Sequence, residues 1–196
     1  GLIYSKMKTI NDLKLEGKRV LVRVDFNVPL NKSLEVTDDT RIRATIPTIK
    51  AIMEKGGHPV LMSHLGRPDG IRNPEFSLKS VVAKLEELSG KKVKFVEDCI
   101  GEEAVSASKQ LGNDEILMLE NLRFYNEETD GDEEFARRLS ENGDVYINDA
   151  FGTAHRAHAS TAIIARFFPK STAAGLVMAA EIENVGKVLE QQAHPV

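Results

Sequence analysis

"GGHPVLMSHLGRPDG", residues 56–70, decides the fold. Two glycines stop whatever precedes them, and an apolar run over 59–62 follows. The run breaks off at Ser63, His64 and Arg67, in a loop punctuated by Gly66, Pro68 and Gly70. A short apolar run bounded by turn residues reads as a buried strand. The turn after it needs the glycines and the proline. It does not need an imidazole or a guanidinium.

The flanking segments repeat the pattern. "RVLVRVDF" (19–26) is valine-rich, as strands prefer. Between the two strands, Thr37 or Asp38 is a candidate N-cap. Ile42, Ile46, Ile49 and Met53 then recur at helical spacing until Gly56 and Gly57. Pro47 predicts a kink or a split in that helix. Downstream, 77–89 places Val81, Val82, Leu85 and Leu88 on one helical face and stops at Gly90. Segments 92–96, 115–120 and 144–149 read as strands, with helical stretches at 101–111 and 132–142 between them. Residues 178–191 read as a last helix. Strands alternating with helices of this length predict an α/β, doubly wound, mostly parallel sheet with helices on both faces, a Rossmann-like three-layer domain.

The 196 residues suffice for one sizeable core, and 41% hydrophobic with 29% charged content is ordinary for a globular chain. A net charge of −4 gives no basic field for nucleic acid or anionic lipid. No apolar run approaches the roughly 20 residues of a membrane span. The lone Cys99 excludes an internal disulfide and suits a reducing, cytoplasmic setting. Residues 1–7 read as a leader or cloning remnant, with Met7 a candidate start, and 8–196 as a single domain.

In a parallel sheet the strand C-termini share one edge, where ligands bind. Asp25 and Asn27 follow the first strand and His64 and Arg67 the second. Glu120, Asn121 and Arg123 follow the fourth, and Asn148, Asp149, His155, Arg156 and His158 the fifth. The third is followed only by Glu97 and Asp98. A lone loop arginine is usually solvated or paired with a carboxylate. Arg67, Arg123 and Arg156 on one edge of an acidic protein point instead to a small, multiply charged oxyanion such as a phosphorylated metabolite.

Other residues carry two readings. Arg41 near a helix start opposes the helix dipole, so either a bound anion or its neighbours Asp38 and Asp39 compensate it. Arg23 inside a valine-rich strand demands a buried carboxylate partner and reads as structural. His155 and His158 form an HxxH pair, with Asp149 as a third candidate ligand. Arg156 between the imidazoles and the lack of CxxC or HExxH weigh against a metal. The glycine of "DAFGTAH" either turns the chain or opens N–H groups onto an anion ahead of a helix near Ser160. No GxxxxGK[ST], GxGxxG or G-x-S-x-G occurs, so the sequence has no common nucleotide loop or nucleophile elbow.

In chain order, "RVDFNVP", "TRIRA", "SHLGRP", "ENLRF" and "NDAFGTAHRAHAS" closely resemble the phosphoglycerate kinase family. The resemblance runs from about Lys8 to the C-terminus and covers that family's N-terminal, 3-phosphoglycerate-binding half. It implies that Asp25, Asn27, Arg41, His64, Arg67, Arg123 and Arg156 bind substrate. Gly152, Thr153, His155 and His158 match the same motif less specifically. Arg41, and the choice of Arg156 over its flanking histidines, rest on the resemblance. The other five of the seven, Asp25, Asn27, His64, Arg67 and Arg123, also follow from the strand edge. The implied reaction moves a phosphoryl group between 1,3-bisphosphoglycerate and ADP, giving 3-phosphoglycerate and ATP, with Arg41 catalytic. Magnesium and ATP or ADP are then held mainly by a C-terminal nucleotide-binding domain outside this chain, which alone is expected to bind but not turn over. The resemblance also implies a cytoplasmic monomer. The alternatives are a stand-alone anion-binding module and a flavodoxin-like signalling domain.

Overall fold

The computed structural model describes residues 8–153 and 156–193. Six strands, β1 (Arg19–Arg23), β2 (His58–Met62), β3 (Lys92–Phe95), β4 (Glu115–Met118), β5 (Val145–Asn148) and β6 (Thr172–Ala174), form one sheet in the order β3-β4-β2-β1-β5-β6. Every pairing is parallel. The expected class holds, with β6 added at one edge. The register aligns the strand ends: Arg23 pairs with Met62 and with Asn148, and Met118 with Leu61 and with Phe95. Whatever follows these residues emerges along one edge.

Alternating strand residues supply two cores. Val20, Val22, Leu61, Val93, Ile116, Val145 and Ile147 pack beneath α1 (Thr40–Glu54) and α2 (Val82–Ser89). Leu21, Val60, Met62, Leu117 and Tyr146 pack on the other face against α3 (Glu102–Lys109) and α5 (Glu133–Ser140), which follows the short α4 (Asn126–Asp130). The inner strands are buried on both faces, so they read as near-continuous apolar runs, whereas the edge strand β3 keeps Lys92 exposed and Lys94 half-buried. Right-handed crossovers produce this division: connections moving toward β3 lie on one face and those moving toward β6 on the other. Following connections therefore diverge at β1/β5 and at β2/β4, the kind of place where open α/β sheets leave ligand crevices.

Four local expectations are revised. Helix α1 runs unbroken through Pro47. The residue is on the exposed face, where the Arg43 carbonyl left without its usual donor faces water, while Ile42, Ile46, Ile49 and Ile52 keep the opposite face packed. Its N-cap is Asp39, not Thr37 or Asp38. Segment 77–89 opens as a 3-10 turn, Leu78–Val81, before α2, and near Ser160 there is only a 3-10 turn, Ile163–Phe167. The last helix, α6 (Leu176–Ala193), packs back on α1. Among the described residues no helix is long and apolar enough to cross a membrane.

Candidate functional site

The loops at the strand edge are braced before they present anything. After β1, Asp25 Oδ1 accepts the Asn27 backbone N–H at 3.1 Å, and Asn27 Oδ1 accepts the Gly66 N–H at 2.8 Å. Ser63 Oγ accepts the Phe26 N–H at 3.0 Å. Asn121 donates to the Leu65 and Phe76 carbonyls at 2.7 and 2.8 Å, while Glu120 accepts from Leu78 N–H, Asn121 N–H and Ser77 Oγ. Glu120 and Asn121 thus hold the loop that carries His64 and Arg67. Gly66 lies at φ +63°, and a Cβ there would sit 2.5 Å from the Phe76 ring, so the loop needs that glycine for two independent reasons.

Arg67 and Arg156 are exposed and Arg123 is half-buried. Among the described residues none of the three has an ion-pair partner, whereas Arg19, Arg43, Arg72 and Arg137 each pair with a carboxylate. Carboxylate pairing, one of the two ordinary explanations for a loop arginine, is therefore missing at these positions among the described residues. Burial, then repulsion from Arg23, lowers the Arg123 pKa; Glu128 opposes this, and Arg156 and Arg67 add to it. Arg123 Nε is buried without a hydrogen-bond partner among the described residues. These cations are close enough to repel one another, an arrangement that a multiply charged anion would relieve.

Arg41 settles between its two readings in a third way. Asp39 pairs with Arg43 at 3.1 Å, and Asp38 accepts from Thr40. Arg41 instead reaches across to Asp25 Oδ1 at 3.3 Å and the Asn27 carbonyl at 2.7 Å, with 53% of its side chain exposed. Beside it lies a cleft of about 220 Å³ lined by Asp25, Arg41, Thr45, Asp149, Phe151 and Gly152. Gly152 and Thr153 sit in a 3-10 turn there, and a Cβ at Gly152 would meet open space. Hydrogen bonds bring Asp25, Asn27 and Arg41 together, and Arg123, His158 and Arg41 all lie close enough to His64 to act on its charge. His155 lies outside the described residues.

Arg23 is fully buried and, as expected, has a carboxylate nearby, but at one remove. Its Nε donates to Ser160 Oγ at 2.9 Å, and Ser160 Oγ donates to Glu128 Oε2 at 2.6 Å. One Nη donates to the Val24 carbonyl and the other meets His64 Nδ1 at 2.8 Å. Burial, with repulsion from Arg23, Arg123, His158 and Arg41, drives the His64 pKa down to about 2. Burial is the chief cause lowering the His158 pKa, and His158 Nδ1 is buried without a partner among the described residues. Asp149 turns inward to the head of α6, its Oδ1 accepting from Val177 and Met178 N–H at 2.9 and 3.2 Å. It caps a helix N-terminus. Glu128 and Ser160 escaped the sequence reading; the only signal for them was the charge of Arg23 inside a valine run.

An all-parallel sheet whose C-terminal edge gathers unpaired guanidinium groups defines an α/β protein of the kind that places small anionic ligands at strand ends. The family model for phosphoglycerate kinase matches residues 10–196, and the chain belongs to that family. Phosphoglycerate kinase of Borrelia hermsii is 50% identical over 189 residues, and that of Chlorobium phaeovibrioides 51% over 188; each alignment takes in 96% of this chain and 47% of the relative. The chain thus spans about half the length of the curated relatives it matches. Among solved structures, phosphoglycerate kinase from Coxiella burnetii superposes with a TM-score of 0.79 at 34% identity, covering 90% of this chain and 43% of that one. The enzyme from Pyrococcus horikoshii gives 0.80 at 33%, covering 90% and 44%.

Proposed function

We propose that this chain is the substrate-binding half of a phosphoglycerate kinase, a cytoplasmic glycolytic enzyme, and that its cationic edge takes 3-phosphoglycerate or 1,3-bisphosphoglycerate. The observation that carries the reading is the set Arg67, Arg123 and Arg156, three guanidinium groups at one strand edge without a carboxylate partner among the described residues. In this reading they hold the non-reacting phosphate. Asp25, Asn27 and His64 take the hydroxyl and carboxylate end, and Gly152, Thr153 and His155 are further contacts.

In the ATP-consuming direction a substrate carboxylate oxygen attacks the terminal phosphoryl group of ATP. The new P–O bond forms as the bond to ADP breaks. A carboxyl group of ordinary pKa, about 3–4, is already ionised at neutral pH, so no general base is required. Catalysis then rests on alignment and on positive charge around the moving phosphoryl group. Arg41 is suited to that task. One Nη is tethered to the Asp25–Asn27 turn while much of the side chain reaches solvent. The nucleotide brings its magnesium to the other, nucleotide-binding domain. The described residues contain no group of three His, Cys, Asp or Glu side chains able to hold a metal, so no step is assigned to a metal ligand here.

Calorimetric titration of the chain with 3-phosphoglycerate tests the reading. Binding should weaken as salt rises. Arg67→Ala should lower affinity by about 10- to 100-fold, from the roughly 1.5–3 kcal/mol of a charge-assisted contact. Equal affinity in wild type and variant would refute the phosphate assignment.

A further inference from the structure

We infer that Arg23 is a positioning residue which, anchored through Ser160 to Glu128, fixes His64 as the neutral Nε2–H tautomer, so that the cationic edge presents one uncharged hydrogen-bond donor among its arginines. The inference deepens the reading of that edge as the 3-phosphoglycerate site and takes only the ligand's identity from it.

The direction of every bond in the chain is dictated by chemistry. A carboxylate only accepts, so the Ser160 hydroxyl must donate to Glu128 across 2.6 Å. That leaves the Ser160 lone pairs to accept Arg23 Nε–H at 2.9 Å. A guanidinium only donates, so His64 Nδ1, at 2.8 Å from Arg23 Nη, must be the acceptor. The imidazole proton is then on Nε2. The Ser160 backbone N–H also donates to Glu128, at 2.9 Å, which fixes the far end of the relay.

The charged and titratable groups facing His64 are Arg23 from β1, Arg41 from α1, Arg123 from the turn after β4 and His158 from the segment after β5. No carboxylate is among them, so none of these described groups favours an imidazolium. The depressed pKa already described agrees with this geometry. Core packing alone does not call for the arrangement, because apolar residues of similar volume often replace a buried ion pair with no loss of stability. With His64 fixed and neutral, its own contribution to the charge of the site stays constant through the pH range where a free histidine would titrate, around 6.5. The donor stays available above and below that value.

Nitrogen-15 imidazole spectra of the ligand-free chain test the relay directly. The expected result is a single Nε2–H tautomer for His64 that does not titrate between pH 5 and 8. An Nδ1–H tautomer, or titration near pH 6.5, would overturn it. The double variant Arg23→Met/Glu128→Gln removes both buried charges together, and His64 should then populate both tautomers while staying neutral, because its burial and the repulsion from Arg123 and Arg41 remain. An unchanged His64 in a folded double variant would overturn the relay. If that variant does not fold, the wild-type spectrum still decides. In binding, the ratio of 3-phosphoglycerate Kd values for His64→Gln and wild type cancels the ligand's own titration. It should stay constant within about twofold from pH 5.5 to 8, since neither donor changes charge there. A ratio that climbs steadily as pH falls would mean an imidazolium and defeat the proposal. The expected spectra without any 3-phosphoglycerate binding would leave the relay standing and sink the substrate assignment instead.

Discussion

Replacing Asp149 by asparagine should make the protein relatively more stable as pH rises. Asp149 is 2% exposed, its Oδ1 caps the head of α6, and its Oδ2 is buried without a partner among the described residues. Burial pushes its carboxyl pKa up to about 6, although Thr48 and the Met178 and Val177 N–H groups pull it down. Against an unfolded value of about 3.9, the gap of roughly two units is worth about 3 kcal/mol. The folded state binds this proton more tightly than the unfolded state. The contribution is therefore fully present below about pH 4 and lost as pH rises through about 6. Some 2 kcal/mol of it remains at pH 4.5, and essentially none at pH 7.5.

Asparagine keeps the oxygen acceptor and has no proton to lose. All other ionisable groups are shared, so between pH 4.5 and 7.5 the stability difference should move about 2 kcal/mol in the variant's favour. With a urea m-value of about 2–3 kcal/mol/M, the midpoint difference should change by about 0.7–1 M. Urea unfolding of both proteins at the two pH values, followed by circular dichroism, measures it. A pH-independent difference would show that Asp149 does not carry the proton assigned to it. A change of opposite sign would mean that the α6 N–H groups outweigh burial.

The remaining expectations concern catalysis and the loop. In a full-length phosphoglycerate kinase carrying this domain, Arg41→Ala should lower kcat by about 10²–10³-fold, as for other preorganised charge stabilisers. Arg67→Ala should mainly raise KM. Arg41→Lys should rescue only partly, because it keeps the charge and loses the planar fork. Steady-state kinetics in one buffer decides, and the reverse pattern would exchange the two roles. This chain alone should show no turnover in a coupled assay, because phosphoryl transfer needs both substrates held in line away from water; activity proportional to purified chain would contradict that. Gly66→Ala should destabilise by about 2–4 kcal/mol, from left-handed strain and the Phe76 clash together, read as a lower urea midpoint.

The strand and helix order was legible because both faces of the sheet are covered, which writes each inner strand as a continuous apolar run. Strand β6 was not, since Thr172, Ala173 and Ala174 are too few and too small to make a pattern. Helix α4 was missed for a related reason: Asn126–Asp130 is polar throughout, and Glu128 is buried to meet Arg23 by way of Ser160, not to fill a core. At the site, residues directly following strands could be placed on the edge from the order of the chain alone. Their partners could not. Whether Arg41 pairs with Asp38, Asp39 or Asp25 depends on how α1 crosses the end of β1, a long-range fact that local spacing does not encode. Asp149 was readable as a polar edge residue, but its inward turn depends on where α6 begins.

The central position of β1 has a consequence for how the chain is made. One side of β1 pairs with β2, some 35 residues on, but the other waits for β5 at residues 145–148. At about 5–20 residues per second of synthesis, that interval lasts roughly 6–25 s. Throughout it the nascent chain displays a bare strand edge over 20–22, the kind of template that recruits other chains. Arg23 closes that stretch, and its charge has no partner until Glu128 and then Ser160 have been added. During synthesis the same guanidinium that later orders the site makes premature pairing with an apolar strand unfavourable.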